Sequence, residues 1–301
     1  MKARLLSLFL LAVSAKAFAQ YNPSAAVNAP KEQVRESYTD EKTGEVRSRT
    51  VVRDVQKDGY GNARGNQYDL AVDGAFEGQT IAVLQLYPFD FEAPKAALKE
   101  KGFNVVRWVS RPPEPKELAS GLEKSNQLWV IADCSGRHLS DEHVAVIKKF
   151  FDAGHGVYIW GDNQPCYDDA NVVGRALLGV TMEGNLPGDQ TVGRREGKAK
   201  SGLIPGHLLT TGLENIYEGV TIATIRPNEV LTPLIYGSAG NLVAGFYDKN
   251  GKRAVFDGGF TRLYYKWDTA GTGRYVKNAA AWLANVERFG AEVSPMAGGS
   301  K

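Results

Sequence analysis

The sequence of 301 residues has little of the residues that most often build metal and redox centres: two cysteines, three methionines and four histidines. No histidine has a second nitrogen ligand at a spacing typical of zinc sites. Long apolar runs are also missing, and the N-terminal one falls well short of the about 20 residues that cross a bilayer. The sequence therefore predicts no metal site, no cofactor and no membrane span.

A strong excess of one charge is missing too, since the formal net charge is +2 at pH 7. Lys2 and Arg4 precede a short apolar stretch, 5–13, and small residues follow at Ala17 and Ala19, which is the pattern of a secretory signal peptide over residues 1–19. Without that segment the chain is close to neutral, so no basic surface for nucleic acid is expected. We expect an exported protein, periplasmic or extracellular.

Residues 20–78 are polar and poor in large apolar side chains. A Thr-Gly-Glu turn at 43–45 lies between two alternating stretches, so the sequence predicts a hairpin within an N-terminal arm. Gly59, Gly61 and Gly65 lie in this arm before any strong strand. They therefore do not indicate a dinucleotide-binding loop.

From residue 79 to residue 290 short apolar runs alternate with segments of helical spacing, which is typical of a parallel sheet with crossover helices. The predicted strands are 81–86, 104–109, 127–132, 156–160, 221–225, 242–247 and 253–257. The predicted helices are 94–101, 115–124, one that Ser140 caps, 170–178 and 272–286. These patterns predict an α/β fold.

Two segments depart from this rhythm. Residues 182–207 are rich in glycine and basic residues and have no apolar face, so we expect a loop that is either a solvated insertion or a lid over the sheet edge. Residues 291–301 are small and polar, which predicts a disordered tail.

Three stretches carry a resemblance: "WGDNQPCYDDAN" from Trp160, "HLLTTGLENIYEG" from His207, and "GKRAVFDGGFTRLYYKWDTAGTGRYVKNAAAWL" from Gly251. With the order of elements, they make residues 78–286 resemble the class I glutamine amidotransferase-like superfamily, and more closely its nucleophile-free branch, which includes the trehalose-utilisation (ThuA-like) proteins. The resemblance implies a flavodoxin-like, mostly parallel sheet with helices on both faces.

The same resemblance implies that glutaminase chemistry is absent. Amidotransferases carry a cysteine on the sharp turn after the fourth strand, and here that turn reads Gly161, Asp162, Asn163. The later segment, where the family has a histidine followed by a glutamate, reads Asp257, Gly258, Gly259, Phe260. The nucleophile and base that this reaction requires are both missing.

In open parallel sheets the ligand crevice lies beyond the carboxyl ends of the strands. Asp162 at the turn is a candidate base, nucleophile or metal ligand, with a structural brace of the turn as the competing interpretation, and Arg262 and Asp268 are its candidate catalytic helpers. Carboxylates that precede a helix favour its free amides, so Asp168 or Asp169 is expected to cap the helix that follows. The expected ligand-binding residues, which combine rings with polar groups, are Trp160, Asn163, Tyr167, Lys266, Trp267 and Thr272.

Cys134 and Cys166 follow neighbouring predicted strands at the same sheet edge, and export favours oxidation, so a disulfide between them is predicted. The sequence as a whole predicts a ligand-binding or scaffold domain, with a carbohydrate or another small polar molecule as its ligand. A hydrolase that uses Asp162 and a cell-envelope interaction module are the alternatives. The oligomeric state stays open.

Overall fold

The computed structural model describes residues 21–22 and 31–289, so the predicted signal peptide and tail lie outside the described residues. The strands are β1 (Lys31–Thr39), β2 (Val46–Asp54), β3 (Thr80–Gln85), β4 (Asn104–Val109), β5 (Gln127–Ile131), β6 (Gly156–Trp160), β7 (Met182–Pro187), β8 (Thr191–Gly193), β9 (Gly202–Leu203), β10 (Asn215–Tyr217), β11 (Thr221–Ile225), β12 (Thr232–Tyr236), β13 (Leu242–Lys249) and β14 (Lys252–Asp257). The helices are α1 (Glu92–Glu100), α2 (Pro115–Leu122), α3 (Asp141–Asp152), α4 (Asp168–Leu178), α5 (Thr272–Leu283) and α6 (Val286–Phe289).

The fold is α/β, and its centre is an eight-stranded, mostly parallel sheet in the order β4-β3-β5-β6-β14-β13-β12-β9. The first five of these strands run parallel to one another, and β13, β12 and β9 extend the sheet with antiparallel pairs. Strands β5 and β6 are buried along their whole length, which explains their uninterrupted apolar sequence.

Helices cover both faces of the sheet, because successive side chains of a strand point to opposite faces. On β3, Ile81 and Val83 belong to the core beneath α1 and α5. Their neighbours Ala82 and Leu84 belong to the core beneath α2, α3 and α4. The sheet therefore separates two apolar layers, and its polar chemistry is confined to its edges.

Local signals fix several helix ends. The side chain of Ser140 accepts a hydrogen bond from the backbone of His143 at the start of α3. Helix α4 ends at Gly179, whose φ of 71° lies in the left-handed region that glycine adopts without strain. Both ends are those that the sequence predicts.

The segment 182–207 is not the loop that its glycines and basic residues predict. It contains β7, which pairs with β11, and β8, which pairs with β10, and β9 joins the main sheet beside β12. Strand β11 consequently belongs to a separate two-stranded sheet and not to the central one. Pairing with strands far along the chain stabilises these short segments, and a local sequence pattern does not record such partners.

The N-terminal arm has two parts of different character. Strands β1 and β2 form an antiparallel hairpin that is exposed over nearly all of its length. The following residues pack on the domain: Leu70 and Phe76 are buried, and the ring of Phe76 stacks on Phe103 at 4.6 Å between centroids. The later part of the arm thus packs on the domain, because its residues bury apolar surface.

None of the helices among the described residues combines the length and the apolar character needed to cross a bilayer.

Candidate functional site: two cavities joined by one strap

A cavity of about 500 Å³ lies at the carboxyl ends of the parallel strands, and we call it the crevice. Tyr87 comes after β3, Cys134 after β5, Asp162 after β6 and Phe260 after β14, and all of them line the crevice. These four strands are neighbours in the sheet. The crevice therefore forms where parallel α/β sheets usually bind their ligands.

A disulfide between Cys134 and Cys166 forms part of the crevice wall, as the sequence predicts. It links the segment after β5 to the turn after β6, and the two Cα atoms are 4.0 Å apart. These are the only two cysteines of the sequence. The disulfide therefore consumes both thiols of the chain.

Asp162 is fully buried at the crevice, and protein groups hold both of its carboxylate oxygens. Oδ1 accepts hydrogen bonds from the amide of Asn163 at 2.8 Å and from the hydroxyl of Thr221 at 2.9 Å. Oδ2 accepts one from the amide of Thr261 at 3.0 Å. The carboxylate thus ties the turn after β6 to β11 and to the segment after β14, which is the geometry of a structural brace.

Burial raises the pKa of Asp162 to about 6, while hydrogen bonds from the amides of Asn163 and Thr261 oppose the shift because they stabilise the charged form. The side chain of Asn163, in turn, accepts a hydrogen bond from Thr221 at 2.8 Å. The polar floor of the crevice is therefore an internally bonded unit of an acid, an amide and two threonines.

Aromatic rings form another part of the crevice lining. The ring of Tyr264 lies 4.6 Å from that of Phe89 and 6.4 Å from that of Tyr87, centroid to centroid. Tyr264 is 38 % exposed and Tyr265 is 45 % exposed. The crevice thus combines accessible ring surface with polar side chains.

Arg262 lies in the core and not in the crevice. Its side chain is fully buried, its Nη2 donates to the carbonyl of Glu218 at 2.7 Å, and its Nη1 lies 3.3 Å from the carboxylate of Asp257. No described contact joins its guanidinium to Asp162. The predicted partnership of these two residues is wrong, because the residue after Thr261 points to the opposite side of the turn and neutralises a different acid.

Trp160, Tyr167 and Thr272 do not line the crevice either. Trp160 is fully buried, and its ring stacks on that of Tyr158 at 4.2 Å between centroids. Tyr167 precedes α4 and packs against the apolar layer beneath that helix. Thr272 is buried at the start of α5. Of the predicted ligand-binding residues, Asn163 alone lies in the crevice.

The predicted cap of α4 is also wrong. The residue before this helix is Tyr167, which makes no side-chain cap. Asp169 is buried and instead accepts hydrogen bonds from the amides of His138 and Leu139, both at 2.8 Å. Its carboxylate therefore fastens the loop after β5, since that loop brings two free amides closer to it than its own helix does.

A second cavity, of about 530 Å³, lies between α1 and α5. Trp267 and Asp268 line it, and neither lines the crevice. The two cavities share a short segment, residues 264–268, which we call the strap: Tyr264 and Tyr265 line the crevice, and Trp267 and Asp268 line the second cavity. The predicted single cluster of site residues is thus divided between two places.

Lys266 lies at the middle of the strap, in a left-handed conformation with φ of 49°. Its ammonium group forms an ion pair with Asp189 at 2.5 Å and lies over the rings of Tyr217 and Tyr265, at 5.3 and 5.5 Å from their centroids. Lys266 therefore anchors the strap to the segment between β7 and β8 and lines neither cavity.

Sequence reasoning missed Thr221 and Tyr265 as crevice residues. Thr221 belongs to a strand of the insertion, and its contact with Asp162 spans 59 positions of the chain. Tyr265 lies among four other polar or aromatic strap residues, and nothing in that local pattern assigns each of them to one cavity.

The sequence matches no protein-family model and no curated protein. Similar solved structures include a Thermoplasma acidophilum protein named as a GMP synthase component, with a TM-score of 0.44, 9 % identity, and coverage of 71 % of this chain and 98 % of that one. A Parabacteroides merdae protein named as ThuA-like has a TM-score of 0.44, 12 % identity, and coverage of 69 % and 90 %. These neighbours include both of the groups that the sequence resembles.

A carbohydrate deacetylase is also similar, with a TM-score of 0.40 and 12 % identity, and the match covers 68 % of this chain and 32 % of the deacetylase.

Proposed function

We propose that the crevice binds an uncharged polar ligand with apolar faces, and that a carbohydrate is the class of molecule that fits it best. The single observation that carries this proposal is the pairing of accessible tyrosine rings with a floor of hydroxyl and amide groups. Sugar rings present apolar faces to aromatic side chains and hydroxyl groups to polar ones.

The scarcity of free charged groups in the crevice supports an uncharged ligand. Among the described residues that line it, Asp162 is the only carboxylic acid, and protein donors already occupy both oxygens of that side chain. No lysine or arginine among the described residues lines the crevice. A charged ligand would lose its hydration there without gaining a counter-charge, which is costly.

The disulfide argues for binding without glutaminase chemistry. That reaction requires a thiolate within reach of a base, and both cysteines of this chain are bonded to each other. We expect the purified, oxidised protein to release no ammonia from glutamine above background. Ammonia release that persists after both cysteines are changed to serine would contradict this mechanism.

The hydrolase alternative loses the helpers that it needs. Such an enzyme requires Asp162, Arg262 and Asp268 around one substrate, whereas Arg262 is paired within the core and Asp268 lines the second cavity. We therefore assign Asp162 to the crevice as a positioning residue, one that fixes the floor on which the ligand rests.

Calorimetric titration with neutral oligosaccharides tests the proposal. We expect binding of at least one member of a panel of gluco-, manno- and N-acetylglucosamine oligosaccharides. Replacement of one stacking ring costs about 1 to 2 kcal/mol, so Tyr265→Ala should weaken that binding by about tenfold. Tyr38→Ala removes a tyrosine of similar exposure from the hairpin and serves as the matched control.

Two results would overturn the assignment. One is a Tyr265→Ala variant that binds as tightly as the unchanged protein while it retains the same melting temperature. The other is a preference for acidic or amino sugars over neutral ones, because the crevice offers no free charge to either. A panel in which no sugar binds at millimolar concentration would remove the carbohydrate class altogether.

Export remains part of the proposal. The disulfide supports it, because such bonds persist mainly in oxidising compartments. We expect the mature protein, recovered from the periplasm or the medium, to begin at Gln20. Mass spectrometry of the intact mature chain measures this directly, and a chain that retains residues 1–19 in the cytoplasm would contradict it.

A second role, as an interaction module of the cell envelope, is favoured by one observation. The strands of the β1–β2 hairpin are nine residues long, are largely exposed and, among the described strands, pair only with each other. An isolated two-stranded hairpin is marginally stable by itself. Deletion of residues 31–54 should leave sugar binding intact and abolish co-purification with envelope fractions, and unchanged co-purification would rule this role out.

A further inference from the structure

The second cavity has walls of two kinds. Ala93, Ala96 and Ala97 on one side of α1 give it an apolar wall, and the half-buried indole of Trp267 and several carboxylates also line it. Its volume of about 530 Å³ is within the range of small-molecule sites, about 300 to 1,000 Å³. Its ligand preference follows from the charged groups that still have free hydrogen-bonding capacity.

The two cationic side chains of this cavity already bind protein groups. Arg274 donates to the carboxylate of Asp69 at 2.7 Å and to the carbonyls of Ala63, Gly65 and Gly212. Lys277 forms ion pairs with Asp69 at 2.9 Å and with Glu100 at 3.0 Å. An anionic ligand would have to break these pairs, although the cavity adjoins the amino end of α5.

The carboxylates, in contrast, keep unused oxygens. Among the described residues, no lysine, arginine or histidine lies within 4.0 Å of the carboxylate of Asp268. Asp58 uses only Oδ1, which accepts hydrogen bonds from the amides of Tyr60 and Asn62. Partial burial raises the pKa of Asp268, and the nearby Glu100 adds to this shift while Lys277 opposes it. The cavity thus holds acidic groups that lack a positive partner.

We propose that the second cavity binds a primary ammonium group carried on an alkyl chain. Asp268 pairs with the ammonium, Trp267 and the alanines of α1 contact the methylene groups, and Asp58, which also lines the cavity, offers its free Oδ2 to a second positive group. A bare metal ion fits less well, because no group of three or more acidic, histidine or cysteine side chains within the described residues is arranged to hold one. The ammonium comes either from a free diamine or from a lysine side chain of a peptide.

Calorimetry with the whole mature protein at pH 7 and low ionic strength tests this site. The probes are 1,5-diaminopentane and N-acetyl-lysinamide, and the matched controls are 1,5-pentanediol and glutarate, which have similar length without the positive charge. We expect both amines, or the diamine alone, to bind, and the diol and the diacid not to bind. The diamine alone indicates a free polyamine as ligand, and equal binding of both amines indicates a lysine side chain.

Asp268→Asn should weaken the binding of the diamine by about tenfold, because a charge-assisted hydrogen bond becomes a neutral one. Asp141→Asn removes an exposed carboxylate from α3, on the opposite face of the sheet, and should leave binding unchanged. A second variant, Trp267→Leu, should weaken binding of the diamine while the melting temperature stays within a few degrees.

Three outcomes would overturn the proposal: equal affinity for the diol and the diamine, binding of glutarate, or a diamine affinity that Asp268→Asn leaves unchanged. None of them bears on sugar binding in the crevice, because Asp268 and Trp267 do not line it. The two proposals can therefore fail independently.

Discussion

The two cavities on either side of the strap differ in how their acidic groups are satisfied. In the crevice, Asp162 lies in the most conspicuous motif of the sequence, and the protein itself has used its hydrogen-bonding capacity. In the second cavity, Asp268 lies in the long stretch from Gly251 to Leu283, and no described lysine, arginine or histidine pairs with its carboxylate. A carboxylate whose oxygens already accept hydrogen bonds from the protein stabilises the fold, whereas one with free oxygens is available to bind a ligand. Four predictions test this difference.

The crevice is held by a covalent bond, and its removal should have the largest effect. The disulfide spans 32 positions, and the loop-closure model gives a stabilisation of roughly 3 to 4 kcal/mol for a loop of that length. The double variant Cys134→Ser, Cys166→Ser should lose about that much free energy of unfolding in urea, together with sugar binding. Diamine binding in its folded fraction should persist. Loss of both ligands together would mean that the two cavities are not separate.

The second cavity rests on buried ion pairs. Lys101 is fully buried and lies 3.0 Å from Asp69 and 2.6 Å from Asp73. Lys101→Met keeps most of the volume and leaves these acids with fewer cations, so it should lower the free energy of unfolding by about 3 kcal/mol. Lys99→Met, on the exposed side of α1, is the control and should change it by less than about 0.5 kcal/mol. Equal losses in both variants would show that the ion pairs contribute nothing specific.

The comparison of the two carboxylates can be made directly. Asp162→Asn puts an amide where Thr261 and Asn163 offer only donors, so unfolding in urea should show a loss of about 2 kcal/mol. Asp268→Asn, in the open cavity, should leave stability within about 0.5 kcal/mol. If Asp162→Asn were as stable as the unchanged protein and had lost its ligand, the brace would be wrong and Asp162 would act on the ligand.

The smallest effect concerns pH. Burial raises the pKa of Asp162 from its ordinary 3.8 to about 6, so the folded state gains stability from the protonated form. That contribution is fully present below pH 3.8 and is lost as the pH rises through about 6. Asparagine does not titrate, so the penalty of Asp162→Asn should be about 1 kcal/mol larger at pH 5 than at pH 7.

The stability of Asp162→Asn must be compared with that of the unchanged protein at each pH, because other buried groups titrate in the same range. Burial also raises the pKa of Asp257 to about 6, which adds to the same trend. Burial lowers the pKa of His207 to about 4, and the resulting stability is present above the ordinary 6.5 and lost as the pH falls through about 4. Because these opposing contributions are common to both proteins, the difference between them reports Asp162. A penalty that stays constant from pH 5 to pH 7 would contradict the raised pKa.

The sequence predicted the elements that depend on local patterns. Strands β4 and β6 have the bounds that their apolar runs indicate. Ser140 caps the start of α3 and Gly179 ends α4, as their chemistry predicts. The disulfide was predictable because two strand ends meet at one edge. Short strands such as β8 and β9 were not, since two or three residues carry no periodicity and their partners lie elsewhere in the chain.

The site was predictable in position and not in detail. The carboxyl edge of the sheet could be inferred, and Asp162 and Asn163 lie there. The role of Asp162 depends on donors 59 and 99 positions away, Thr221 and Thr261. Trp267 and Asp268 line the second cavity and not the crevice because of the backbone conformation of the strap, and the spacing of residues in the sequence does not predict that conformation.

The strap would also couple the binding of the two proposed ligands. Its residues contribute to both cavities, and the ion pair between Lys266 and Asp189 fixes it at one point. If both proposed ligands bind, a sugar that displaced the strap on one side would change the affinity for an amine on the other, and thermodynamic reciprocity would require the amine to change the affinity for the sugar by the same factor. The short segment would thus make the domain a two-input sensor whose response is set by one surface ion pair, and the ionic strength of the medium would tune the coupling.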